Sequence, residues 1–592
     1  MAGRNIAARD GRHGGSDSGT ARAGAPREGS AVIQGHVRGA LWLVAGLGVL
    51  VSPTPGARGA AGTIRFERPS AAAVGFTLEN AMTPDKPMIG SVLGGLALLD
   101  YDQDGFLDIY FTNGAAIPSL AKSDSRYWNR LYHNNRDGTF SDVTERAAVA
   151  GTGYDMGVAA GDYDNDGYPD LFVAGVNHNT LYRNNRDGTF ADVTREAGVT
   201  GASPAGKKPW SVGAAWLDYD KDGKLDLFVS NYLDWSFETA RTCGPAGQRV
   251  SCSPALYRGL PNTLFRNNGD GTFADVSVDA GISRHIGKGM GLAVADFDAD
   301  GWIDVVVAND KERNFLFHNL GGRRFDEKGL AAGIAYTEDG VPASNMGVDF
   351  RDLNDDGRPD LVSTALPEET FSLRLNTGRG FFEDATYQSG LGLATAVFAG
   401  WSVGAYDFDN DGDKDLFTSN SHVIDNVDLH SAQRYRQRNA VFENIGAARF
   451  VDATKTSGTA MQVARAHRGA AFGDLDNDGR VDVVVSAIGE PAVLLLNASE
   501  PRHHWLLLKL IGRGASNRDA IGARIKLTSA SGRVQYNHVT TSVGYASSSD
   551  RRVHFGLGAD ASVREIQIVW PSGKVQTLGD VKANQVLEVA EP

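Results

Sequence analysis

Cysteine is almost missing from this chain: two occur in 592 residues, Cys243 and Cys252. Half a metal site would need neighbouring His or Cys partners, which are lacking, and two free thiols are the bland alternative. Their closeness within a Gly- and Pro-containing insertion predicts a local disulfide, formed in an oxidising compartment. Surplus positive charge is missing as well, with 58 Lys and Arg against 72 Asp and Glu and a formal net charge of -14. Without a basic stripe, that excludes an electrostatic grip on nucleic acid. Long apolar runs are also lacking. The one of note, Ala40 to Val51, has twelve residues, short of the roughly 20 that span a bilayer. With Arg38 before it and Gly59, Ala60 and Ala61 after it, it reads as a signal peptide, an uncleaved tilted anchor being the alternative. Residues 1–61 are therefore set aside as leader. The 13 histidines contain no His-Glu-x-x-His pattern, so catalytic zinc of that kind is unsupported.

What the chain does have is a nine-residue string that returns seven times, with starts 62, 56, 78, 56, 55 and 67 residues apart. That spacing is in the range of one four-stranded propeller blade. The first copy places Asp100, Asp102, Asp104, Phe106 and Asp108 at positions 1, 3, 5, 7 and 9, with Gly105 at position 6. The second has Asp162, Asp164, Asp166, Tyr168 and Asp170; the third Asp218, Asp220, Asp222, Lys224 and Asp226; the fourth Asp296, Asp298, Asp300, Trp302 and Asp304. The fifth has Asp352, Asn354, Asp356, Arg358 and Asp360; the sixth Asp407, Asp409, Asp411, Asp413 and Asp415; the seventh Asp474, Asp476, Asp478, Arg480 and Asp482.

Calcium wants about 6–8 oxygen ligands at roughly 2.3–2.6 Å, and alternate carboxylates on a tight loop supply them around one point. The varied position 7 is expected to lend only its backbone carbonyl. Plain acidic turns are the rival reading. Two unit charges about 4 Å apart repel by roughly 4 kcal/mol at an effective dielectric near 20, so four clustered carboxylates without a cation would oppose folding. Seven divalent ions would carry fourteen positive charges, the size of the net -14. An EF-hand would need an acid at position 12 and flanking helices, whereas here β-formers follow, as in Leu171-Phe172-Val173. A second repeated element, Leu131 to Phe140, Leu181 to Phe190 and Leu264 to Phe273, carries an Asp-Gly hairpin signal. The last copy stops at Leu496-Asn497, so its outer strand is expected from Ile64-Arg65-Phe66. The loop closed by Asp at position 9 resembles the FG-GAP/VCBS repeats of integrin-type propellers over residues 62–500. This resemblance implies a seven-bladed, all-β propeller.

Three features invite other readings. Gly400-Trp401-Ser402-Val403-Gly404 matches a nucleophile elbow, yet the same register reads Trp210-Ser211-Val212-Gly213 in another repeat, ahead of an Asp loop and in an expected innermost strand. His503 and His504, being adjacent on a strand, point to opposite faces and read as solvated interdomain residues. Trp210, Trp235 and Trp401 read as core, with the mouth of a ligand-binding shaft as the alternative.

After Pro501 the repeat stops. Strands are expected over Trp505–Leu510, Ala523–Leu527, Val534–Thr541, Val553–Phe555, Ile566–Trp570 and Val586–Val589, a small sandwich or barrel. Ala520-Ile521-Gly522-Ala523, Gly544-Tyr545, His554 to Gly558 and Trp570-Pro571-Ser572-Gly573 resemble the ASPIC/UnbV family, which puts an ASPIC/UnbV-like β domain at 501–592. With the propeller, the chain is similar to the cartilage-acidic-protein-like group. The resemblance implies a secreted protein of the extracellular space or cell envelope, holding up to seven calcium ions and recognising a protein or glycan. It brings no catalytic residues. An enzyme of secondary metabolism or polymer modification in the propeller cavity, or an envelope scaffold, is the alternative.

Overall fold

The computed structural model describes residues 64–69, 74–201 and 208–592; the apolar run read as a signal peptide lies outside them. In the first repeat, strands Leu96–Leu99, Asp108–Phe111, Arg130–Asn134 and Phe140–Asp142 pair antiparallel in that order. The Asp loop joins the first strand to the second. At the Asp-Gly hairpin the Asp137 carboxylate accepts from the Thr139 N–H (3.0 Å) and hydroxyl (2.6 Å), while Gly138 takes φ +81°. This left-handed backbone is costly for residues with a Cβ. The Asp-Val-Thr that follows also has a local reason: the Asp142 carboxylate accepts from the Thr144 N–H and hydroxyl, and Thr144 Oγ1 accepts from Leu131 N–H at 2.9 Å.

Seven such four-stranded sheets form between residues 64 and 500. Their innermost strands pack in chain order, and that of the first sheet also meets that of the seventh, so the ring closes. The seventh sheet takes its outer strand from Phe66–Glu67, which pairs with Val493–Asn497 as expected. Phe66 is fully buried, edge-on to Phe408 at 5.4 Å. Near the axis backbones come close: a Cβ on Gly157 would lie 2.1 Å from the Val212 carbonyl, and one on Gly347 2.3 Å from that of Trp401.

The C-terminal part folds as two sheets. One has the order Val553–Gly558, His504–Ile511, Gln585–Ala590, the last pair parallel; the other runs Val534–His538, Arg524–Ser529, Ser562–Val569, Val575–Lys582. Leu506, Leu508, Ile525, Leu527, Phe555, Ile566 and Trp570 fill the space between, in one core cluster with Phe172, Trp216 and Phe265 of the propeller. The described residues accordingly form one unit. Two departures from the expected strands have physical causes. Val575–Lys582 has no fully buried position, and its apolar residues Val575, Leu578 and Val581 fall three apart, so its sequence lacks the two-residue period of a half-buried strand. The strand expected to reach Thr541 ends at His538, because the chain then leaves the sheet for the propeller axis.

There residues 541–549 fill the shaft. Gly544 exchanges hydrogen bonds with Val348 (2.8 and 3.2 Å), Ser548 with Leu96 and Leu98 (2.9 and 3.0 Å), and Ala546 accepts from Val158 N–H (3.1 Å). Ser542 Oγ donates to the Leu292 carbonyl (2.7 Å) and Ser402 Oγ accepts from Tyr545 N–H (3.1 Å). The Tyr545 ring stands edge-on to Trp401 at 5.0 Å and its hydroxyl donates to the Val92 carbonyl. From the other end, Trp235, Cys252 and Tyr257 of the insertion join the same apolar cluster as Met156, Met290, Met346 and Tyr545.

Candidate metal centres

All seven Asp loops share one construction. The residue at position 4 and the glycine at position 6 are left-handed, with φ of 57–61° and 82–100° respectively, which reverses the chain and turns alternate carboxylates inward. The position-1 carboxylate accepts from the position-6 N–H at 2.7–3.1 Å, as in Gly105 to Asp100 and Gly412 to Asp407. That of position 5 accepts from the position-7 N–H at 2.8–3.0 Å, as from Phe106, Tyr168, Lys224, Trp302, Arg358, Asp413 and Arg480. The position-9 carboxylate, opening the second strand, accepts from the position-2 N–H at 2.9–3.2 Å.

The other oxygen of position 9 accepts from the N–H of an asparagine that ends the third strand: Asn134, Asn184, Asn267, Asn319, Asn376, Asn444 and Asn497, at 2.7–2.8 Å. Each of these asparagines also donates its side-chain amide to the position-2 carbonyl of the preceding blade's loop, at 2.7–3.0 Å. The seven loops are thereby stitched into one closed chain. Reading of the sequence missed these residues; the signal was an asparagine recurring in the same register of every third strand.

With these oxygens committed, others remain. The Oδ1 atoms of Asp100, Asp102, Asp220 and Asp296 are buried with no hydrogen-bond partner. Donor atoms of Asp100, Asp102 and Asp108 lie within 4.8 Å of one another, as do those of Asp162, Asp164 and Asp170 and of Asp218, Asp220 and Asp226. Burial pushes Asp108 up to about 9, and the Asp102 carboxylate adds to it against the Asn134 hydrogen bond. Burial likewise raises Asp360 and Asp409 to about 8 and Asp474 to about 7. Buried, unpartnered oxygens beside carboxylates whose charge burial disfavours fit a hard divalent cation.

Around this shared core the loops differ. The position-5 carboxylates of Asp104 and Asp166 pair with Arg136 (2.8 Å) and Arg186 (2.6 Å), and those of Asp222, Asp356 and Asp478 with the position-7 side chains of Lys224, Arg358 and Arg480. Side chains at position 7 thus also act, beyond their carbonyls. The C-terminal domain rests on the same face. Arg524 Nη1 lies 2.8 Å from Asp296 Oδ2, and Arg533 Nη2 lies 2.6 Å from Asp413 and 3.1 Å from Asp355. Arg552 donates to Asn477 Oδ1 (2.8 Å) and to the Asp474 carbonyl (2.9 Å). His503 meets the Asp409 carbonyl at 2.9 Å and His504 the Asn584 amide at 2.9 Å, so both are partnered where solvation was expected. Ser402 is fully buried in the innermost strand Gly400–Tyr406, with no helix after it. Trp210, Trp235 and Trp401 are 1%, 3% and 0% exposed and belong to the core of the shaft.

The repeats match a known pattern: residues 100–173, 162–229, 255–307, 296–363, 352–418 and 426–485 fit the model of the FG-GAP-like repeat. The chain belongs to the FG-GAP-like repeat family. Four of those windows begin at position 1 of a loop, so the FG-GAP unit is the span from one cradle into the next. Residues 512–592 match ASPIC and UnbV, the domain whose Tyr545 occupies the FG-GAP shaft. Cartilage acidic protein 1 of Mus musculus is 25% identical over 519 residues, covering 84% of this chain and 74% of the relative. That of Homo sapiens is 24% identical over 518 residues, covering 84% and 72%. Among solved structures, the chain is similar to an Agrocybe aegerita lectin that recognises non-reducing terminal N-acetylglucosamine, with 17% identity, coverage of 66% of this chain and 94% of that one, and a TM-score of 0.36.

Proposed function

We propose that this protein is a secreted calcium-binding propeller that serves as an adhesion or ligand-recognition module for an extracellular or cell-envelope protein or glycan. The observation that carries this reading is the sevenfold return of the carboxylate loop, with buried, unpartnered carboxylate oxygens in the first, third and fourth copies. Extracellular modules hold calcium with dissociation constants of about 10⁻⁴–10⁻³ M. The Cys243–Cys252 disulfide supports an oxidising compartment, and the name of the relatives, Cartilage acidic protein 1, fits an acidic extracellular protein. Among the described residues no helix is long and apolar enough to cross a membrane.

Recognition falls to one face. The shaft is packed, and the C-terminal domain covers the loop face. At the opposite end of the blades the disulfide insertion meets residues 421–439, where the Asn426 amide donates to the Arg249 carbonyl at 3.0 Å. Leu256 and Leu429 on these insertions are 47% and 75% exposed, apolar surface open to a partner. The test is retention of exterior proteins and glycans on the immobilised full chain, in calcium and in chelator, alongside elemental analysis. Calcium-dependent retention, lowered in a Leu256→Ser, Leu429→Ser variant, is expected. A folded protein that takes up no calcium, or retention indifferent to both changes, would overturn the reading.

A further inference from the structure

One side chain beside each loop varies from blade to blade: the residue that precedes the stitching asparagine on the third strand. It is histidine in the first and fourth blades (His133, His318), arginine in the second and third (Arg183, Arg266), leucine in the fifth and seventh (Leu375, Leu496) and Glu443 in the sixth. The two histidines reach the inward carboxylates. His133 Nδ1 stands 3.2 Å from Asp108 Oδ1 and 3.4 Å from Asp102 Oδ2, and it is buried with no hydrogen-bond partner. His318 Nδ1 stands 3.1 Å from Asp304 Oδ1 and 3.7 Å from Asp298 Oδ2. Donor atoms of Asp102, Asp104 and His133 lie within 4.8 Å of one another, and so do those of Asp298, Asp300 and His318. In the fourth loop the Asp296 side chain is only 5% exposed, and its Oδ1 is buried and unpartnered.

A cation among these groups meets an imidazole nitrogen together with carboxylates. Calcium takes oxygen ligands, whereas imidazole suits zinc, cobalt and nickel among the first-row divalent ions. In the other five loops the matching residue is arginine, leucine or glutamate, so the donors there are oxygens alone. We propose that the first and fourth loops are mixed nitrogen–oxygen sites that select a first-row transition cation of the zinc type over calcium, with His133 and His318 as the selecting ligands. This rests on the reading that the loops hold cations, and the fifth and seventh blades supply its internal control, since leucine is accommodated at the same register.

The full chain, stripped of metal, is dialysed against micromolar cobalt(II) in about 1 mM calcium, and bound cobalt and calcium are measured together with the visible absorption of cobalt. One cobalt is expected in each of the two loops, with ligand-field bands that show nitrogen coordination. His133→Leu, His318→Leu should lower retained cobalt roughly tenfold while bound calcium rises by up to two ions, because a nitrogen donor is lost and the oxygens stay. If that variant melts early, Leu375→His is the second arm, and it should add a third cobalt. Complete displacement of cobalt by calcium in the parent chain, or equal cobalt in parent and double variant, would overturn the selectivity. Uptake of neither ion by the folded chain would overturn the wider calcium reading along with it.

Discussion

The seven blades and the C-terminal domain meet across one face with opposite chemistry. The blades gather carboxylates into buried loops; the domain brings Arg524, Arg533 and Arg552 against four of those loops. Negative charge on that face is relieved by the guanidinium groups above the loops, and the proposed cations would relieve it from within. The blades obtain their site by repetition of a local string, the domain by a single placement in three dimensions. The difference teaches that the loops and the docking surface are one structure: under the proposed reading, a loop stripped of its cation would present more negative charge to the arginine beside it.

The strongest test of that comparison is removal of the ions. Ligands that bind only the native state stabilise it by mass action, about 2.7 kcal/mol per site at a hundredfold excess over the dissociation constant, so chelation should lower the melting temperature by on the order of 10 °C or more. An unshifted calorimetric melt, with removal verified by elemental analysis, would contradict it. The pH dependence of the stripped protein carries a definite sign. Folded values of about 7 to 9 for Asp474, Asp360 and Asp108 lie above the ordinary 3.8. These groups then contribute stability that is full below about pH 4 and lost as pH rises through 7 to 9. Denaturant midpoints of the stripped chain should fall from pH 5 to pH 9, whereas the loaded chain, whose ions compete with protons, should gain over the same range.

Next in size is the part of the domain that enters the shaft. Tyr545→Ala removes a fully buried aromatic and should cost about 3–5 kcal/mol; Tyr545→Phe, which loses only the hydroxyl bond to Val92, should cost about 1 kcal/mol. Equal costs for the two in urea unfolding would mean that the ring does not hold the shaft. Arg533→Ala comes third, at about 1–2 kcal/mol for a partly exposed pair, and the cost should be larger in chelator than in calcium. The reverse order would separate docking from ion occupancy. Smallest is Asp220→Ala, which should leave the fold intact and lower bound calcium by one ion; unchanged metal content would remove Asp220 from the ligand set.

The blades were legible because their parts are local. A cradle lies within nine consecutive residues and its hairpin partner within the same repeat, so spacing alone reports both, and even the outer strand at Phe66 could be inferred from the strand missing after Asn497. The stitching asparagines were in plain view but silent, since Asn134 acts on Leu475, far along the chain and one blade away. The reading of Trp210 and Trp401 as core holds, but what fills the shaft was out of reach for a related reason. Trp210 and Trp401 look the same on paper whether they line a pocket or pack against Tyr545, and the segment that decides between these cases belongs to another domain.

By itself the amino-acid sequence determined an all-β chain of repeated blades, seven acidic loops, and a distinct C-terminal module. Each follows from side-chain chemistry acting over a few residues. Tertiary structure alone decided that the module sits on the cradle face, that its Tyr545 loop closes the shaft, and that His133 and His318 stand among the carboxylates. Those contacts join residues remote in sequence, and only folding sets the distances between them.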